Sequence, residues 1–395
     1  MTALTKINFG TEINRRNSGS LKWDDADLLY SAKDVLPLWV ADTDFPPPAA
    51  VLEALQARVA HGVFGYPSPR FLGFEALSEW LKQRHGWETK PEWMVNSPGV
   101  CTALAVAVQT LTNPGDKVII QPPVYPPFFS SVLQNGRTVL ENPLIAENGH
   151  YRMDFEDLAR KASDAKMLIL CSPHNPVGRV WGAAELKKLA EIAVTHNLII
   201  LSDEIHGDLV YSGHRHIPLA SLNPEIESLT LTCVAPSKTF NTAGLYTSAV
   251  VIPDKGLRQK FYEAISTLSI TKSTVFGSVA MEAAYKHGGP WLDELLPFLA
   301  ANAAYLAERF SKETPKIEIA LPEGTFLAWL DCRELGLGDQ ALADFFGKEA
   351  RVGLNNGATF GAQGSGFMRL NFGCTRATLK EAVDRIVGAY RARGF

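Results

Sequence analysis

Three polar residues stand in the same place relative to apolar text. MLIL runs into CSPHNPVGR, NLIIL into SDEIH, and LTLTC into VAPSKTFN, so Asn175, Asp203 and Lys238 each follow the carboxyl end of an inferred buried strand. In an open α/β sheet that edge is where ligands bind. A lysine amine in a desolvated place has its neutral, nucleophilic form favoured and condenses with an aldehyde to an imine. An aspartate facing a pyridine nitrogen keeps it protonated and makes the ring an electron sink for a carbanion. An asparagine amide donates to a phenolic oxygen on the same ring. The three together match the needs of a pyridine-ring aldehyde cofactor. A phosphate on such a cofactor needs a cradle, and NSPGVCTALAVAVQTL offers one: a Pro-Gly turn feeding a buried helix, with the backbone N–H groups of Gly99, Val100 and Cys101 at its positive end.

Each of these residues also has a plain structural role open to it. A lysine after a strand is usually solvated, an aspartate there caps the next helix, and Asn-Pro is a turn former. Tyr66 and Tyr125 sit beside prolines and need no more than a turn to explain them. Trp39 and Asp42 could line a substrate mouth, yet a tryptophan packing an arm onto the body would look the same. His214 and His216 bracket Arg215 in a polar loop; no third ligand is suggested, and no metal is expected.

The elements that position these residues follow from periodicity. From Pro48 to about residue 290, short apolar runs (KVIIQ, MLILC, NLIIL, LTLTC, SAVVI) alternate with amphipathic stretches such as AAELKKLAEIAVTHN. This predicts an α/β fold with a mostly parallel sheet flanked by helices. Residues 1–48 read as a charged, then proline-rich extended arm, with helical periodicity beginning only after Pro48. Residues 49–289 read as the large domain. Residues 290–395 read as a smaller α+β domain: a long Ala/Leu/Glu helix, strand-like IEIAL, TFLAWL and FMRLNF, and a closing helix from about Thr375, with the arm packing against it.

Composition narrows the class. With 395 residues, 46% hydrophobic and 20% charged, the chain is an ordinary globular protein. A formal charge of -4 gives no reason to expect a nucleic acid as partner, and the arm lacks room for a helix-turn-helix domain and linker. The five cysteines are scattered, without a C-x-x-C pair, which argues against a disulfide framework or zinc and for a reducing compartment. No apolar run reaches membrane-spanning length and the start has no apolar leader, so a cytoplasmic protein is expected.

HNPVGR, SDEIH, APSKTFNTAGL and MRLNFGCTR, in this order and spacing, resemble the fold-type-I pyridoxal 5'-phosphate (PLP) enzymes of the aminotransferase superfamily, over nearly the whole chain. DVLPLWVADTDFPPP, FGYPSP and PPVYPPF narrow the resemblance to the MalY/PatB-type cystathionine β-lyases, or C-S lyases. The resemblance implies that Lys238 is the Schiff-base lysine, that Asp203 partners the pyridine nitrogen and Asn175 the ring hydroxyl, and that Tyr125 stacks on the ring. It implies that Arg369 holds the substrate α-carboxylate in a bidentate pair. It further implies a homodimer with shared active sites, in which Tyr66 reaches the neighbouring subunit's cofactor phosphate. Two departures from the aminotransferase pattern lean toward a lyase. His206 stands where aminotransferases usually carry tyrosine beside the cofactor, and Tyr246 stands where they place a phosphate-pairing arginine, leaving the phosphate to backbone N–H groups, Ser237 and Tyr66.

The reaction so implied is β-elimination from L-cystathionine or a related cysteine thioether, giving a thiol, pyruvate and ammonia. Lys238 acts as the base at Cα, and Lys238 or Tyr125 protonates the leaving thiolate. Transamination shares every step up to the carbanion and is the nearest rival. A regulatory protein that keeps the fold and binds a partner is the other; loss of Lys238 or Arg369 would favour it, and both are present.

Overall fold

The computed structural model describes residues 8–395; the first seven residues of the arm, and with them the reading of the chain's start, lie outside the described residues. Seven short strands form the main sheet: β1 (Met94–Ser97), β2 (Lys117–Ile120), β3 (Thr138–Glu141), β4 (Met167–Cys171), β5 (Ile199–Asp203), β6 (Thr230–Val234) and β7 (Ser248–Val251). Their order is β1-β7-β6-β5-β4-β2-β3. Only β7 runs against its neighbours; the other pairings are parallel. The five apolar runs read from the sequence are β2, β4, β5, β6 and β7. β1 was not expected, because MVNS is half polar. Its buried polar groups are satisfied locally: Asn96 Nδ2 donates to Thr271 O at 3.3 Å and Ser97 Oγ to Gly99 O at 3.1 Å. β3, half exposed at the sheet edge, was also missed.

Both faces of the sheet are covered, which is why its strands read as unbroken apolar runs. Successive side chains take opposite faces. Val118, Ile120, Met167, Ile169 and Leu201 pack with Ala103, Leu104 and Ala107 of the helix Val100–Leu111 and Phe261 of the helix Lys255–Thr267. Ile119, Leu168, Leu170 and Ile200 pack with Leu158, Leu186 and Leu189 of the helices Phe155–Ala162 and Ala183–Thr195.

A second, antiparallel sheet follows the long helix Gly289–Glu313: β8 (Glu318–Ile319), β9 (Leu327–Asp331), β10 (Asn355–Asn356) and β11 (Phe367–Asn371), in the order β8-β9-β11-β10. β10 was not legible, since Asn-Asn carries no strand preference. The closing helix Arg376–Arg393 is capped by Thr375, whose Oγ1 accepts from Thr378 N at 3.1 Å. Among the described residues no helix is long and apolar enough to cross a membrane.

The arm is more structured than its composition indicated. It forms two one-turn helices, Leu21–Asp24 and Ala26–Leu29, before Pro48, and Leu36–Pro37 pairs in parallel with Val352–Gly353. Its ends are tied by charge. Lys22 is 0% exposed, with Nζ 2.9 Å from Asp44 and 3.4 Å from Asp42; Arg15 bridges the same two carboxylates at 2.7 and 2.8 Å. Trp23 Nε1 donates to Asp44 at 3.0 Å. Two amides then staple segment 39–45 to the body. Asn371 of β11 donates to Val40 O and Asp42 O, both at 2.6 Å, and Asn241 donates to Thr43 O at 2.9 Å and Phe45 O at 2.7 Å.

Removing the ammonium from this cluster leaves buried carboxylate charge without one of its partners. Lys22→Ala is expected to cost about 3 kcal/mol, read as a lowered urea midpoint. A loss below about 0.5 kcal/mol, the scale of an ordinary surface substitution, would mean that the cluster does not hold the arm.

Candidate active site

The strand register brings the sequence-predicted residues to one edge. Cys171 and Asp203 end β4 and β5 side by side, with Cys233, one residue before the end of β6, opposite Asp203, so Asp203 lies between two buried thiols on the face covered by the helix Val100–Leu111. A cavity of about 220 Å³ sits over this edge. It is lined by Gly99, Val100, Cys101, Tyr125, Asn175, Asp203, His206, Ser237 and Lys238, together with Ala41 of the arm and Tyr246 and Thr247 at the start of β7.

Burial governs the ionisable groups here. The Lys238 ammonium donates to Ala41 O. Desolvation holds its pKa below that of an ordinary lysine, with Asp42 opposing and Arg369 reinforcing the shift. Desolvation pushes the Asp203 carboxyl up to about 7, against a hydrogen bond from Ile205 N at 3.2 Å and the charge of Lys238. Among the described residues Asp203 has no ion-pair partner. His206 is pulled down to about 3 by burial, then by Lys238 and Arg369, so its ring is neutral; among the described residues its Nε2 has no partner, and its ring meets Phe326 edge-on with centroids 6.0 Å apart. Tyr125 is raised above the ordinary tyrosine range by burial and then by Cys101, whose Sγ lies 3.8 Å from its hydroxyl.

Arg369 stands on β11, one hydrogen bond behind the cavity wall. It donates to Asn175 Oδ1 at 3.1 Å, Asn355 Oδ1 at 2.6 Å and Trp39 O at 2.8 Å, and its guanidinium lies over the Phe360 ring at 5.0 Å. All three acceptors are neutral, Nε has no partner among the described residues, and burial lowers its pKa to about 10. A buried guanidinium with no carboxylate beside it leaves its charge for an anion. With Asn175 Oδ1 taken by Arg369, the amide nitrogen of Asn175 is the group left to donate.

At the other end of the cavity Gly99 precedes the helix Val100–Leu111 with φ +157°, and a Cβ there would meet nothing within 4 Å. The first-turn N–H groups are outside the helical ladder and open to an anion. Ser97 Oγ, by holding Gly99 O, fixes this turn. A cation-seeking carboxylate, an amide donor, a neutral-leaning amine and an N–H cradle around one cavity fit a phosphorylated pyridine aldehyde.

Other sequence-predicted positions lie elsewhere. The Trp39 indole donates to Lys22 O at 3.1 Å and so packs the arm. Asp42 is held by Arg15 and Lys22 and borders a neighbouring cavity of about 280 Å³. Tyr66 is 91% exposed, with Lys272 Nζ over its ring at 4.6 Å, and does not line the cavity. His216 is paired with Glu204 at 2.9 Å, and no metal-holding cluster occurs among the described residues. Sequence reasoning missed Asn241, Asn355, Phe360 and Asn371. Asn371 had a signal, since it lies two residues beyond Arg369 on one strand and therefore on its face. The others had none.

The fold and this edge-of-sheet site define a fold-type-I enzyme of the aminotransferase superfamily. The family model for aminotransferase class I and II matches residues 33–386. Cystathionine beta-lyase PatB of Bacillus subtilis is 45% identical over 97% of this chain and 100% of its own length, and protein MalY of Escherichia coli is 31% identical over 98% and 99%. Cystalysin from Treponema denticola, solved with a pyridoxal 5'-phosphate cofactor, superposes with a TM-score of 0.95 at 36% identity, covering 98% of this chain and 100% of that one. The chain belongs to the aminotransferase class I and II family and, within it, to the MalY/PatB-type branch.

The raised pKa of Asp203 has a sign that can be measured on cofactor-free protein. A carboxyl whose folded pKa is about 7 adds stability below its unfolded value, and that contribution is lost as pH rises toward about 7. Asn cannot lose a proton. Asp203→Asn should therefore gain in Tm over the parent as pH rises from about 4 to about 7 and hold that gain above it. A pH-independent difference would mean that Asp203 titrates as an ordinary carboxylate.

Proposed function

We propose that this chain is a PLP-dependent carbon–sulfur β-lyase that cleaves L-cystathionine or a related cysteine thioether to a thiol, pyruvate and ammonia. The observation that carries the reading is the convergence on one cavity of the Lys238 amine and an Asp203 carboxylate without an ion-pair partner, with a guanidinium that no carboxylate neutralises one hydrogen bond behind. The relation to PatB over the full chain supports lyase chemistry over transamination. When bound, the cofactor supplies a protonated ring that withdraws electrons from the substrate Cα.

The chain's own residues do the rest. Gly99, Val100 and Cys101 would hold the phosphate by backbone N–H groups, with Ser237 lining the same cavity. Asp203 would keep the ring nitrogen protonated and Asn175 would donate to the ring hydroxyl, with the neutral His206 and Tyr125 lining the same cavity. Arg369 fixes the substrate α-carboxylate. Lys238, whose neutral form burial favours, takes the Cα proton at Nζ, and Lys238 or the Tyr125 hydroxyl returns a proton to the departing sulfur. The arm, meeting Lys238 through Ala41 and Arg369 through Trp39, excludes water from this step. We place the enzyme in the cytoplasm, in sulfur amino-acid metabolism such as methionine biosynthesis.

Purified enzyme given L-cystathionine should release pyruvate and thiol with no keto acid present. Turnover only with 2-oxoglutarate, without pyruvate, would overturn the lyase reading. Arg369→Ala should lower kcat/KM about a hundredfold or more, the scale for removing one partner of a buried charge pair, while the visible absorbance of the lysine-bound cofactor persists.

We further propose a homodimer in which Tyr66 serves the neighbouring subunit's phosphate. An exposed apolar surface that includes Val63, Phe64, Tyr66 and Phe71 supports this. Inactive Lys238→Ala and impaired Tyr66→Ala chains, refolded together, should regain activity in mixed dimers; no recovery on mixing would count against shared sites.

A further inference from the structure

Strand alternation sends Asp203 to the cavity and Glu204 to the opposite face. The chain then turns behind the cavity wall, and Glu204 and Asp208 enter a second buried cluster that no step above uses. Asp208 Oδ1 accepts from Trp80 Nε1 at 2.8 Å and lies 2.8 Å from His85 Nε2, while its Oδ2 accepts from Thr239 Oγ1 at 2.9 Å. Glu204 accepts from Ser202 Oγ at 2.9 Å and Leu219 N at 3.1 Å and pairs with His216 at 2.9 Å. The His85 and His216 rings meet edge-on at 5.1 Å, and Tyr285 stands beside Asp208. Asp208 is thus surrounded by His85 and Trp80 from the helix Phe74–His85, Thr239 from the lysine-bearing helix and Tyr285 from the helix Val275–His287, with Glu204 and His216 beyond.

Thr239 is the covalent neighbour of Lys238. Both belong to the helix Pro236–Thr239, four residues long and closed by the bond from Phe240 N to Pro236 O at 2.8 Å. One turn of helix cannot hold its own geometry in water, so its orientation is set by what grips it. The Thr239 hydroxyl, in a residue 1% exposed, bonds to a carboxylate, and a hydrogen bond to an ionised acceptor is roughly twice as strong as a neutral one. Burial works against the Asp208 charge, but His85, Trp80 and Thr239 outweigh it and hold the carboxyl below its ordinary range.

We propose that Asp208, braced by His85 and Trp80, is a positioning residue for Lys238: by gripping Thr239 from behind the sheet edge it sets the direction in which the adjacent lysine enters the cavity. This rests on the reading of Lys238 as the cofactor lysine.

The test uses the cofactor-loaded enzyme and the pair Thr239→Val and Thr239→Ser, with Asp208→Asn alongside. Valine keeps the shape and loses the hydroxyl; serine keeps the hydroxyl. Thr239→Val and Asp208→Asn should move the midpoint of the pH titration of the lysine-bound cofactor's visible absorbance by about one pH unit and lower kcat about tenfold with KM within about twofold, while Thr239→Ser stays near the parent. Parent-like titrations for Thr239→Val, or equal damage from Thr239→Ser, would overturn the proposal, because packing rather than the hydrogen bond would then explain the site. If Asp208→Asn does not accumulate folded, the threonine pair decides alone. A parent whose visible band survives Lys238→Ala sinks the cofactor-lysine reading and this proposal with it. A parent that binds cofactor on Lys238 yet releases no thiol from cystathionine sinks only the lyase reading.

Discussion

Charge held out of water at the carboxyl edge of the main sheet is the constraint on which the structure turns. Lys238, Asp203, His206 and Arg369 sit in surroundings of low polarity, and each is pushed toward its neutral form. A protein tolerates such a cluster only when other groups fix it and a ligand completes it. The sheet supplies the rigidity: parallel strands buried on both faces leave their ends little freedom. Asp203 is raised by burial, with the charge of Glu204 adding to the shift, and a cationic ring is what would bring it down.

The arm is the second consequence. It contributes backbone carbonyls rather than side chains, from Ala41 to Lys238 and from Trp39 to Arg369. Carbonyls lend partial negative charge without the repulsion that a further carboxylate would bring to a substrate carrying its own. A carbonyl is useful only where its backbone is fixed, and the Arg15, Lys22, Asp42 and Asp44 cluster, with the amides of Asn241 and Asn371, does that fixing. In this geometry the Trp39 indole and the Asp42 carboxylate also hold the arm, the first through Lys22 O and the second through Arg15 and Lys22.

The site is also built in depth. Residues pointing into the cavity alternate along the chain with residues pointing behind it, and both sets are polar. Asp203 and His206 face one way, Glu204 and Asp208 the other. Text such as SDEIHGD therefore encodes two layers at once, and a reading that assigns every polar residue in it to the cofactor would overfill the site.

The sequence by itself determined the sheet and its useful edge, because hydrophobic period and strand length are local properties: five of seven main-sheet strands stand out as apolar runs, and Asn175, Asp203 and Lys238 mark three of their ends. It also determined the family, since the spacing of HNPVGR, SDEIH and SKTFN is kept in the chain itself. Tertiary structure decided everything that depends on distant partners. β1 and β10 are strands because neighbours satisfy their polar backbones and side chains, not because MVNS or NN prefers to be extended. Arg369 is left without a carboxylate because Asn175, Asn355 and Trp39 O, far apart in the chain, meet it. Whether a charged residue is a solvated surface group or a buried one waiting for a ligand is a matter of desolvation, and desolvation exists only once the chain has closed around it.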